Sequence, residues 1–130
     1  MQDAFDVGVI GYGGAGVRSA LGTTLAAAVL HPIARIAVTP LSIEERSRFV
    51  DAGFGDILEQ RRRAPVWVVP RSEGGTPMRA AMCRARELLA PWCDAHPQSY
   101  PPTVLHIGNG PPTDGDPEPA AAALRQACHQ

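Results

Sequence analysis

At 130 residues, 45% of them hydrophobic, the chain has the size and apolar content of one small folded domain spanning 1–130. Its 12 basic residues, all arginine, stand against 13 acidic ones, and this near-balance excludes a chain drawn as a whole to nucleic acid or to anionic lipid. No basic start leads into an apolar leader and no run reaches the roughly 18 apolar residues needed to span a bilayer, so the expected location is cytoplasmic, without a membrane partner.

In chain order, FDVGVIGY (5–12) reads as a strand in the middle of a sheet, with small and apolar residues alternating. A G-x-G-x-x-G follows at Gly11, Gly13 and Gly16, the local pattern of a dinucleotide cradle. Residues 17–30 suit either a helix, by their apolar spacing, or a returning strand, because Gly22 and two threonines weaken a helix interior. His31-Pro32 ends whatever precedes it. IARIAVTP (33–40) reads as a strand, and Ser42 with Glu45 forms a capping-box spacing that predicts a short helix from Ile43, fraying near Gly53 and Gly55. Arg61-Arg62-Arg63 has no interleaved aromatics and reads as a solvated face; VWVV (66–69) reads as a buried strand.

The second half is the more informative. Thr76 and Pro77 have the types that favour an N-cap and a first-turn proline. Met78, Ala81, Met82, Ala85, Leu88, Leu89 and Trp92 then recur at helical spacing as one apolar stripe. A proline-rich connection (97–102) leads to TVLHI (103–107), a strand running into Gly108-Asn109-Gly110, and a last helix starts near 117–119. Strands alternating with helices predict a layered α/β fold with parallel strands. Cys83, Cys93 and Cys128 are odd in number and lack C-x-x-C spacing, so they read as reduced thiols; Cys93 and His96 have a ligand-like spacing but need two further ligands for zinc.

G-G-T-P-M at a helix start, paired with a strand ending in G-N-G-P-P-T-D-G-D-P, resembles the bacterial intracellular von Willebrand factor type A domain over essentially the whole chain. The resemblance implies a three-layer α/β/α, Rossmann-like fold: a mostly parallel sheet with an antiparallel edge strand, here lacking the family's first strand and helix and its final strands. It also implies that the glycines of 11–16 form a hairpin turn. A dinucleotide site would want an acid at the end of the next strand, and Ile36-Ala37-Val38-Thr39 offers none.

Domains of this type hold Mg2+ with D-x-S-x-S, a threonine and an aspartate on three loops, and a partner's carboxylate completes the octahedron. Thr76 matches the threonine, Asn109 replaces the aspartate, and D-x-S-x-S is absent. Asp114 is a weaker substitute ligand, and it and Asp116 read as turn and helix-cap residues. The resemblance therefore implies a non-catalytic protein-interaction module with impaired or lost metal binding and no cofactor. Its partner would be another protein or a second copy of itself, and not nucleic acid. One alternative is a Mg2+-dependent adhesion domain completed by an N-terminal segment or a partner chain. Another is a nucleotide-binding enzyme domain using Gly11, Gly13 and Gly16. No G-x-S-x-G or nucleophile–His–carboxylate pattern points to catalysis, and His106 reads as a buried or half-buried structural histidine.

Overall fold

A computed structural model describes residues 5–14, 16–19, 30–68, 74–108 and 110–127. It is a mixed α/β structure in which the ladders among the described residues are antiparallel. The chain divides into two compact units, Met1–Val7 with Leu21–Val69, and Gly8–Ala20 with Pro70–Gln130.

The first unit is built on a pair of short strands, β1 (Asp6–Val7) and β4 (His31–Pro32), followed at once by helix α1 (Ile33–Val38). The strand expected over 33–40 is therefore a helix. Pro32 precedes it, and Thr39 closes it: its N–H donates to Ile36 O and its hydroxyl to Arg35 O. Helical geometry turns Ile36 inward, where it is 7% exposed, and leaves its carbonyl to accept a 2.6 Å hydrogen bond from Trp67 Nε1–H. His31 is buried beside this small core, so the most buried histidine of the described residues is not His106.

A long hairpin follows, β5 (Ser42–Gly53) paired with β6 (Asp56–Val66). The helix expected from Ile43 is absent because the chain reverses at Gly53-Phe54-Gly55. All three residues there have positive φ, and the Gly53 N–H donates to Asp51 Oδ1. That reversal sets 42–53 against a second β-compatible run, and the ladder overrides the local capping signal of Ser42 and Glu45. VWVV contributes only Val66 to a ladder; Trp67 and Val68 lie beyond it and Val69 outside the described residues.

In the second unit, β2 (Ile10–Gly13) and β3 (Gly16–Ser19) form an antiparallel hairpin closed by the pair Gly13 and Gly16. The continuous strand expected over 5–12 is thus two pieces, with Gly8 and Val9 between β1 and β2. Helix α2 (Met78–Ala95) packs over this hairpin and against α3 (Glu118–Gln126). The predicted apolar stripe faces inward, with Ala81 and Ala85 buried and the larger side chains of the stripe half-buried. TVLHI enters no ladder among the described residues. Cys83 is a free thiol, whereas Cys93 is disulfide-bonded, its partner lying outside the described residues, so the expectation of three reduced thiols is wrong. Spacing along the chain does not report which sulfurs tertiary packing brings together.

Among the described residues no helix is long and apolar enough to cross a membrane.

Candidate functional site

The residues singled out by sequence converge at one end of α2. The turn of the β2–β3 hairpin lies directly against the loop that opens this helix. A Cβ on Gly14 would overlap the Gly74 carbonyl oxygen, and one on Gly75 would sit 3.3 Å from the Gly14 Cα. Gly75 also has φ +89°, a conformation in which L side chains are strained. The glycines of this region are needed for backbone-to-backbone approach. Gly11 and Gly13 lie within β2 and Gly16 begins β3, so the motif is strand–turn–strand, without the helix N-terminus that holds a pyrophosphate in a dinucleotide fold.

Thr76 follows that contact. It does not cap α2: the helix begins at Met78 with Pro77 in the cap position and no side-chain cap bond from it. Instead Thr76 is clamped to a distant loop. Its N–H donates to Thr113 Oγ1 at 2.8 Å and its carbonyl accepts from the Thr113 N–H at 2.9 Å. The Thr76 hydroxyl faces Gly110, whose added Cβ would meet it at 3.5 Å. The structure therefore brings Thr76 to Gly110; Asn109 lies outside the described residues.

The capping of α2 falls to Asp114, thirty-four residues from its donor partner Ala80. Asp114 Oδ1 accepts from the Arg79 N–H at 3.0 Å and Oδ2 from the Ala80 N–H at 2.8 Å. A carboxylate in this position satisfies first-turn donors and lies at the positive end of the helix dipole. Desolvation acts to raise its pKa, but the N–H groups of Ala80, Arg79 and Asp114 itself, with the Arg79 guanidinium, outweigh it and hold the carboxyl below its ordinary value. Asp116 plays a parallel part at α3, its Oδ1 accepting from the Glu118 N–H at 3.0 Å.

These assignments decide the fit of a divalent cation. Mg2+ demands an octahedron of oxygens and gives up its water reluctantly, so a protein site normally supplies at least one free carboxylate. Here Thr76 offers a neutral hydroxyl, and both oxygens of Asp114 are committed to backbone N–H groups. No group of three or more His, Cys, Asp or Glu side chains able to hold a metal occurs among the described residues. Nor do Cys93 and His96 fit zinc: the sulfur is in a disulfide, and the imidazole donates from Nδ1 to Trp92 O while stacking on the Trp92 ring.

Beside this cluster runs the segment 103–108, which enters no ladder among the described residues. His106 is exposed, contrary to the buried position expected of it; its Nε2 shares a 2.6 Å hydrogen bond with the Tyr12 hydroxyl, and the two rings stack with centroids 5.8 Å apart. The Tyr12 hydroxyl also lies 3.0 Å from where a Cβ of Gly108 would be. Tyr12 on β2 and His106 on this segment thus meet through their side chains. Leu105 is 84% and Ile107 90% exposed. Thr113 and the Tyr12–His106 pair are contacts that no local pattern announces, since their partners are 37 and 94 residues away in sequence. Compared with known protein families, with curated proteins and with solved structures, the chain matches none.

Proposed function

We propose that the chain is a non-catalytic protein-interaction module of von Willebrand A type, its sheet parallel in the complete fold, that recognises an extended polypeptide strand beside residues 103–107 and binds divalent metal weakly or not at all. One observation carries this reading: 103–107 enters no ladder among the described residues and exposes Leu105 and Ile107, and β2, joined to it through Tyr12 and His106, pairs only with β3 among the described residues. A strand laid beside 103–107 would take hydrogen bonds from that segment and cover Leu105 or Ile107, the usual chemistry of strand addition. The neutral Thr76 hydroxyl and the capped Asp114 support the loss of metal-bridged adhesion.

The test is selection of phage-displayed peptides on the full chain, followed by hydrogen exchange of the complex. Expected are extended peptides that slow exchange of the 104–107 amides and that Leu105→Lys releases. Peptides protecting a different region would sink the reading. Calorimetry with Mg2+ or Mn2+ should show no saturable heat; a stoichiometric signal removed by Thr76→Ala would restore a working metal site.

A further inference from the structure

The chain has three cysteines, of which Cys83 is a free thiol and Cys93 is disulfide-bonded, so by count the partner of Cys93 is Cys128, two positions past the last residue of α3. The bond starts in the last turn of α2 and closes a ring over residues 93–128. Segment 103–107, Thr113 and Asp114 all belong to that ring.

Cys93 also lines a cavity of about 230 Å3. Cys93, Pro102 and Ala127 are its half-buried walls, and His96, Pro97 and Tyr100 its exposed ones. The space has room for the sulfur end of a small thiol. Its rim is fixed by short-range contacts. The His96 ring donates from Nδ1 to Trp92 O at 2.8 Å and stacks on Trp92 with centroids 4.3 Å apart. The N–H and hydroxyl of Ser99 both donate to His96 O, at 3.1 and 2.9 Å, and the rings of Pro101 and Pro102 fix their φ. A reagent therefore reaches this cavity without opening the core, and access is one of the factors that separate an exchangeable disulfide from an inert one.

The helix on the other side of the bond has few anchors of its own. α3 is nine residues long and has no fully buried residue. Its ion pair, Arg125 to Glu118 at 2.7 Å, and its cap, Asp116 accepting from the Glu118 N–H at 3.0 Å, are both local. A helix of two to three turns is marginal without tertiary support.

We propose that the Cys93 disulfide is a site of reversible modification by a small thiol, and that the modification loosens α3 from α2. The incoming thiol gives up its proton and, as the thiolate, attacks Cys93 Sγ, forming a new S–S bond there. The bond from Cys93 to Cys128 breaks, and Cys128 leaves with the electron pair and takes up a proton. Thiol and disulfide exchange partners, so no outside oxidant or reductant is consumed. The Cys128 thiol reverses the step by attacking the mixed disulfide.

The test uses the full chain with its disulfide intact, treated without oxygen with reduced glutathione, alkylated at intervals with iodoacetamide and mapped by mass spectrometry. Expected is glutathione on Cys93 with Cys128 alkylated, in a chain that keeps its native circular dichroism. Glutathione found only on Cys128, or a bond that opens only in urea that unfolds the chain, overturns the site. In hydrogen exchange of the adduct, the α3 amides should exchange about tenfold faster while the interior of α2 is unchanged; unchanged α3 protection overturns the loosening. Ala127→Leu narrows the cavity and should slow the reaction about tenfold, and an equal rate in the folded variant overturns entry through the cavity. Where that variant does not fold, mercaptoethanol is compared with a thiol carried on dextran, each scaled to its rate with oxidised glutathione. The small thiol should be the faster, and equal scaled rates overturn the proposal.

Discussion

The molecule contains two antiparallel hairpins with glycines at their turns, and the glycines are there for different reasons. In β2–β3 the turn is pressed against another loop, so that a methyl group on Gly14 would overlap the Gly74 carbonyl. In β5–β6 the turn glycines have nothing within 4 Å, and their positive φ alone requires them. The first hairpin is a structural wall of the candidate site, held under α2. The second is an arm exposed over most of its length. Equal sequence signals thus mark a packed element in one place and an uncovered one in the other.

The largest test of this contrast is the pair Gly14→Ala and Gly55→Ala, compared by urea unfolding. Gly14→Ala forces backbone apart and should cost about 1–3 kcal/mol, as overpacking does. Gly55→Ala adds only left-handed strain of about 1 kcal/mol, with no steric contact to relieve. Equal losses, or a larger one at Gly55, would break the comparison.

Hydrogen exchange sharpens it next. Amides in the interior of α2, which packs on two neighbours, should exchange slowly, and those of β5 and β6 faster. Equal protection would mean that the arm is covered.

A smaller effect is expected at Asp114. Its folded pKa lies below the unfolded one, so its contribution to α2 is present above the unfolded value and is lost as pH falls through the folded value. Thermal melts of the wild type should weaken on acidification through the low carboxylate range. Asp114→Asn should be less stable at neutral pH and lack that part of the acid dependence; identical pH profiles would remove Asp114 from its capping role. Least disruptive is alkylation of the native chain. Cys83 should react at once and Cys93 only after reduction, and an unreduced Cys93 that alkylates readily would contradict the disulfide.

Much of the helical half was legible because its signals are local. The stripe from Met78 to Trp92 repeats at the helical period, and the start of α3 is written in Asp116 and its prolines, within two residues of one another. The glycines at 11–16 also announce a turn. The front half misled at 33–53 because the β-branched residues of IARIAV and the spacing of Ser42 and Glu45 are propensities of modest size. Burial of Ile36 under Trp67 and a ladder reaching Val66 outweighed them.

Sequence alone determined the balanced charge, the mixed α/β character, the apolar face of α2 and the lack of a D-x-S-x-S set. These depend on residue type and on spacing within a few turns of chain. Only the tertiary structure decided that Thr76 is clamped by Thr113, that Asp114 spends both oxygens on α2, that Tyr12 meets His106, and that Cys93 is oxidised. Each of these joins groups far apart in sequence, and such contacts form only when the packing of whole elements has repaid the entropy of closing the intervening chain.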